Sequence, residues 1–163
     1  MIHSPRQPHK LKLPNGGIVL VDADSRFQSM AYAVCLRGGL RGERREELGL
    51  THLLEHLLFK RTRQADTFAI ARRIDELGGD INAFTDADSM CVHGLVPASR
   101  GAALMALIDE LVTDFIVRDD DFEREREVIR QEILDAEDDP GHVSYQRFAE
   151  TLWQGNILGE PIF

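Results

Sequence analysis

His52, Glu55 and His56 stand inside a ten-residue, otherwise apolar stretch, "THLLEHLLFK". Residues four apart share one face of a helix, so the two histidines lie one turn apart and their Nε2 atoms can converge on a metal ion. Glu55 is offset from His56 by about 100° of helix rotation. A carboxylate there reaches a metal-bound water without ligating the metal. Zinc acidifies such a water toward neutrality, and the carboxylate then acts as general base. The order H-x-x-E-H is the inverted form of the HExxH zinc motif. The competing reading is two satisfied core histidines beside a surface charge. It fits a lone histidine better than this spacing on one helix.

A catalytic zinc takes three protein ligands and keeps one position open, so a third ligand must come from elsewhere. The segment from Asp119 reads as a long helix with an apolar stripe of Phe122, Ile129, Ile133 and Ala136. Glu125 and Glu132 fall on that same inward stripe. An ionised carboxylate turned inward costs several kcal/mol unless a cation or hydrogen-bond donors meet it. A zinc ion shared with His52 and His56 meets that need, and so does a salt bridge to one of the chain's arginines. The helix alone favours neither.

The elements that must position these groups can be read from the same patterns. "LKLPNGGIVLVDAD" predicts two short strands around an Asn15-Gly16 turn, and "FQSMAYAVCLRGG" a longer strand. Leucines at 48, 50, 53, 54, 57 and 58 predict a buried helix over 46–60. "DTFAIARRIDELGG" predicts an amphipathic helix with Phe68, Ala71, Ile74 and Leu77 inward, stopped at Gly78-Gly79. "DINAFTDADSMCVHGLV" gives two strands around a turn at "DADS". A helix capped by Ser99 follows, then the acidic helix, whose first-turn aspartates suit its macrodipole, then a shorter helix after Pro140-Gly141. This order is an α+β layout, an antiparallel sheet covered by helices. Residues 1–10 are expected to form a flexible arm and 11–163 the domain. "ILGEPIF" supplies no closing element, so the expectation is a domain continuing beyond Phe163.

Composition narrows the function classes. The 163 residues are 43% hydrophobic, which suits a packed core, and carry a formal net charge of −9. That balance argues against a nucleic-acid surface, which needs clustered lysine and arginine. No window approaches the ~20 apolar residues of a membrane span. "MIHSPRQPHK" lacks a hydrophobic signal region, so the expected compartment is the cytoplasm. Cys35 and Cys91 lack CxxC spacing and read as buried reduced thiols, with a disulfide as the alternative.

Four stretches, "KLPNGGIVLV", "GLTHLLEHLLFK", "IDELGGDINAFTDADSMCVHGLV" and "EREREVIRQEILDAEDDP", resemble the pitrilysin or insulinase-type zinc metallopeptidases in order and spacing. That family includes bacterial processing proteases and the mitochondrial processing peptidase β subunit. The resemblance runs from about Leu11 to Phe163. It implies one zinc ion per chain bound by His52, His56 and Glu132, with Glu55 as general base and Glu125 supporting the site. It also implies that "GGDINAFTDADS" is an edge strand on which an extended peptide substrate lies, with Asn82 and Ala83 offering backbone hydrogen bonds. From the residues alone this stretch is only a plausible edge strand. His93 and His142 are claimed by no motif.

Two features depart from the family pattern. The family's "EE" pair stands here as Gln131-Glu132, which leaves the implied ligand intact. Family members are also much longer and carry a second, similar domain, or work with a partner subunit, that closes over the substrate. Nothing here matches the Arg-Tyr pair of that half, which polarises the scissile carbonyl. The resemblance thus implies a zinc endopeptidase domain that is weakly active or inactive alone. The rival reading is a non-catalytic, peptide-binding subunit on the same fold. Subunits of that kind typically lose motif residues, and this chain keeps all five.

Overall fold

The computed structural model of the protein describes residues 7–163. Strands β1 (His9–Lys12) and β2 (Ile18–Val21) pair antiparallel across the Asn15-Gly16 turn, where Gly16 takes φ 87°, a left-handed value open to glycine. This hairpin is a two-stranded sheet by itself. Residues 9 and 10 of the expected arm are therefore strand, and residues 1–6 lie outside the described residues.

The main sheet holds β3 (Ser29–Arg37), β4 (Asp80–Thr85) and β5 (Ser89–Pro97), all antiparallel, in the order β3-β5-β4. Helices α1 (Leu50–Leu58) and α2 (Thr67–Leu77) intervene between β3 and β4. Helices α3 (Gly101–Thr113), α4 (Asp119–Glu137) and α5 (Pro140–Leu152) follow the sheet. Period-two alternation sends Met90, Val92 and Val96 of the central strand to one face. There they meet Leu58 of α1, Ile70 and Leu77 of α2, and Leu104, Leu107, Ile108 and Leu111 of α3 in one core. Each such side chain contributes roughly 1.5–3 kcal/mol by leaving water. The expected α+β layering is what the fold has. Among the described residues no helix is long and apolar enough to cross a membrane.

Local chemistry shifts several expected boundaries. Helix α1 starts at Leu50 rather than 46, because Gly49 turns the backbone left-handed at φ 83° and Arg45–Glu47 forms a separate 3-10 turn. Its first free amides are met from a distance: Glu43 accepts from the N–H of Gly49 (2.9 Å) and of Thr51 (2.6 Å). In α2, Phe68 is 79% exposed and Ala71 also faces out. Ile74 and Leu77 face inward as expected, and Ile70 completes the buried face in place of Phe68 and Ala71, a stripe of equally good helical spacing. Ser99 caps nothing; it sits in the 3-10 turn Ala98–Arg100, and α3 has no side-chain cap. The expected shorter helix, α5, opens two residues early, on Pro140 itself, where the missing N–H costs nothing, and Asp139 accepts from Gly141 N–H.

Two buried carboxylates tie the helices together. Glu110 of α3 accepts from Thr62 Oγ1 (2.7 Å) and from both terminal nitrogens of Arg73 (3.0 and 2.8 Å). Asp121 of α4 accepts from Arg61 Nε at 2.8 Å. Arg73 first, then Thr62, holds Glu110 below the usual carboxylate range, and Arg61 does the same for Asp121. Depressed folded-state values mean that this stabilisation is complete above the unfolded values of about 4 and is lost as pH falls through the lower folded ones. Urea midpoints should therefore hold between pH 7 and 5 and fall steeply below pH 4. Glu110→Gln should lose about 2 kcal/mol at pH 7 and flatten that acid limb. A variant with an unchanged midpoint would show that the cluster does not hold α2 to α3.

Candidate functional site

Helices α1 and α4 run past each other in opposite directions, and polar pairs mark the seam. Asp121 meets Arg61, Glu125 meets Lys60 and His56, and Glu132 meets His56 and His52. The inward stripe of α4 puts Glu125 and Glu132 against α1, and Asp121, one turn earlier, meets Arg61 just past its end. The Arg61–Asp121 pair is the upper rung of this seam.

The lowest rung brings together the three residues expected from sequence. Glu132 Oε2 lies 3.4 Å from His56 Nε2 and 3.8 Å from His52 Nε2. Ligand atoms of His52, His56 and Glu132 all fall within 4.8 Å of one another. Atoms about 2.0–2.1 Å from a tetrahedral zinc are about 3.3–3.4 Å apart, so the cluster needs only a small adjustment to take one. Two imidazoles and a carboxylate are also a donor set that zinc accepts.

Protonation supports the same use. Burial, and next the neighbouring His56, hold the His52 imidazole below its usual value, so it is the neutral, ligating form at pH 7. The Nδ1 of His56 lies 3.2 Å from Glu125 Oε2. An acceptor there keeps the proton on Nδ1 and turns the Nε2 lone pair to the cluster. Glu125 is buried, and Lys60 Nζ binds its other oxygen at 2.9 Å. Among the described residues neither Glu125 nor Glu132 pairs with an arginine. By formal charge, Glu55, Glu125 and Glu132 against Lys60 leave a surplus of two negative charges, which a divalent cation balances.

Glu55 does not join the ligand cluster. Its Oε2 accepts from Thr85 Oγ1 at 2.6 Å, on the inward face of β4. One oxygen is thereby tethered, and the other has no hydrogen-bond partner among the described residues. Thr85 and Lys60 were not singled out from the sequence. The signals for them were faint: a hydroxyl in phase with inward Ile81 and Ala83, and a cation one turn after His56. Phe163 supplies an apolar wall, its ring 5.8 Å from that of His52 and stacked on His142. His93 lies on the other face of the sheet, against Phe84.

β4 pairs only with β5 and is an edge strand among the described residues. The pair Asp86–Ser89 is hydrogen-bonded (Asp86 N–H to Ser89 O, 2.9 Å), so by alternation Asn82 directs its backbone at β5 and Ala83 directs its own at the open edge. The two residues expected to serve a peptide together are thus divided. Ala83 presents the backbone, while Asn82 Oδ1 accepts from Ala83 N–H at 2.9 Å.

Comparison with known proteins follows the same lines. The family profile described as Insulinase (Peptidase family M16) matches residues 18–163. A protein of Streptomyces coelicolor named as an uncharacterized zinc protease is 33% identical over 150 residues, covering 92% of this chain and 33% of that protein. One of Rickettsia felis with the same description is 30% identical over 151 residues, covering 93% of this chain and 37% of its own. The chain therefore spans about a third of the length of these curated relatives. Among solved structures, a protease from Helicobacter pylori superposes with a TM-score of 0.87 at 24% identity, over 94% of this chain and 37% of that one. An inactive domain of an M16 peptidase from Pseudomonas fluorescens gives 0.84 at 16% identity, over 95% and 38%. At these identities the two structures speak to the fold.

Proposed function

Because this chain belongs to the insulinase peptidases, family M16, we propose that it is the zinc-binding catalytic domain of an endopeptidase, with His52, His56 and Glu132 as ligands and Glu55 as general base. The observation that carries this reading is the meeting of three donor atoms from two separate helices within 4.8 Å, beside a fourth residue that stays out of the cluster. A zinc ion held there supplies Lewis acidity, polarising a carbonyl and lowering the pKa of a water toward neutrality.

The chain's own residues do the rest. The peptide lies extended along β4, hydrogen-bonded to Ala83, which brings its scissile bond over α1. The free oxygen of Glu55 takes the proton of the attacking water and returns it to the leaving amine. Thr85 keeps the other oxygen from swinging toward the cation, and Glu125 with Lys60 holds His56 in its ligating orientation. The greater length of the relatives favours a second domain or partner subunit that encloses the substrate. The likeness to an inactive M16 domain favours, as a second reading, a peptide-binding subunit of the same fold. The retained Glu55 counts against that reading.

Metal analysis of the purified chain tests the proposal. The expected result is about one zinc per chain, with affinity reduced about 10–100-fold in Glu125→Ala, which frees the His56 ring. Wild-type protein that takes up no zinc from a weak chelator would refute the assignment.

A further inference from the structure

On the face of the main sheet turned away from the helices, Cys35 of β3 stands directly opposite Cys91 of β5. Ladder geometry sets how near they are. At one end Gly38 N–H donates to Asp88 O (3.2 Å), and at the other Ala98 N–H donates to Gln28 O (2.7 Å). Both are hydrogen-bonded pairs in the same register, so alternation makes every odd-numbered residue of β3 a member of a non-hydrogen-bonded pair. Cys35 is one of these. Such pairs have the closer Cα spacing, about 4.5 Å, inside the about 4.4–6.8 Å that disulfides span. Direct partners also project to the same face.

The two thiols differ in access. Cys35 is exposed, whereas Cys91, on the central strand between Cys35 and Phe84, is 2% exposed. Burial, and then a hydrogen bond with Cys35, pushes the Cys91 thiol up to about 11. An oxidant can reach the first sulfur but not the second.

We propose that Cys35 and Cys91 form a redox-active dithiol that closes into a cross-strand disulfide by exchange with a low-molecular-weight disulfide. The Cys35 thiolate attacks one sulfur of the small disulfide and expels one thiolate, leaving a mixed disulfide on Cys35. Cys91 then gives up its proton, attacks the Cys35 sulfur and expels the second thiolate. The two protein thiols are oxidised, the small disulfide is reduced to two thiols, and the two protons end on those leaving groups. Closure ties β3 to β5 just before the chain leaves β3 for Gly38 and α1. The sheet separates this pair from Thr85 and the His–Glu cluster, which lie on its helix side, so the inference stands apart from the zinc assignment.

The test equilibrates the reduced, native chain with glutathione and glutathione disulfide over a range of ratios, then quenches with acid, alkylates under denaturing conditions and measures intact mass. As the buffer becomes oxidising, both thiols should disappear together, with the loss of two hydrogens and no added glutathione. Cys91→Ser should stop at glutathionylated Cys35, and Cys35→Ser should stay unmodified. Zinc content should be the same before and after oxidation. The proposal is overturned if wild type accumulates glutathione on Cys35 with Cys91 still alkylated, if both thiols survive, or if the oxidised product is a linked dimer.

Discussion

Replacing Glu132 by alanine is expected to lower the zinc affinity of the purified chain by at least about 100-fold, more than the loss of a supporting residue behind a ligand. Two histidines one turn apart on α1 are an incomplete set, and among the described residues it is α4 that brings a third ligand atom to it. Glu132 Oε2 is the carboxylate oxygen that approaches both Nε2 atoms. Its side chain is 43% exposed, so truncation leaves no buried partner stranded and the fold should persist. Competition against a chromophoric chelator measures the affinity, with circular dichroism checking that α4 remains helical. Equal zinc binding by wild type and Glu132→Ala would remove α4 from the metal site.

Glu55→Gln should behave in the opposite way. The amide keeps the shape and can still accept from Thr85 through its oxygen, so zinc binding should be unchanged. It cannot take a proton, and in a preparation that cleaves an extended peptide kcat should fall about 10²–10⁴-fold with little change in KM. Thr85→Val should give a smaller loss, again in kcat, and Thr85→Ser should recover it, because the serine hydroxyl restores the tether at 2.6 Å. Undiminished cleavage by Glu55→Gln would mean that another group moves the proton.

How far the sequence could be read depended on how local each feature is. The stripe on α4 was legible because Phe122, Glu125, Ile129, Glu132 and Ala136 repeat at helical period over nineteen residues, long enough to define a face. The face of α2 was legible only in part, at Ile74 and Leu77. Phe68 and Ile70 both head apolar series in eleven residues, and the choice fell to Ile70 because α3 and β5 packed there and Arg73 on that side found Glu110. The start of α1 was misjudged for a related reason: leucine spacing continues back through Leu48, but the left-handed Gly49 and the remote cap from Glu43 end the helix at Leu50.

By itself the sequence determined the H-x-x-E-H spacing on one helix, the inward glutamates on another, the alternation of helices and strands, and the family, since each is set by residue type and by separation along the chain. Tertiary structure put Glu132 against both histidines and Glu125 behind His56, as the family resemblance implied, and it alone decided that Lys60 meets Glu125 and Thr85 meets Glu55, that Ala83 and not Asn82 faces the open edge, and that two cysteines 56 positions apart are neighbours. The physical reason is one of range. A helix or strand period fixes which side chains share a face, whereas the height of α4 on α1 and the register of β3, β4 and β5 come from packing and ladder hydrogen bonds between segments far apart in the chain.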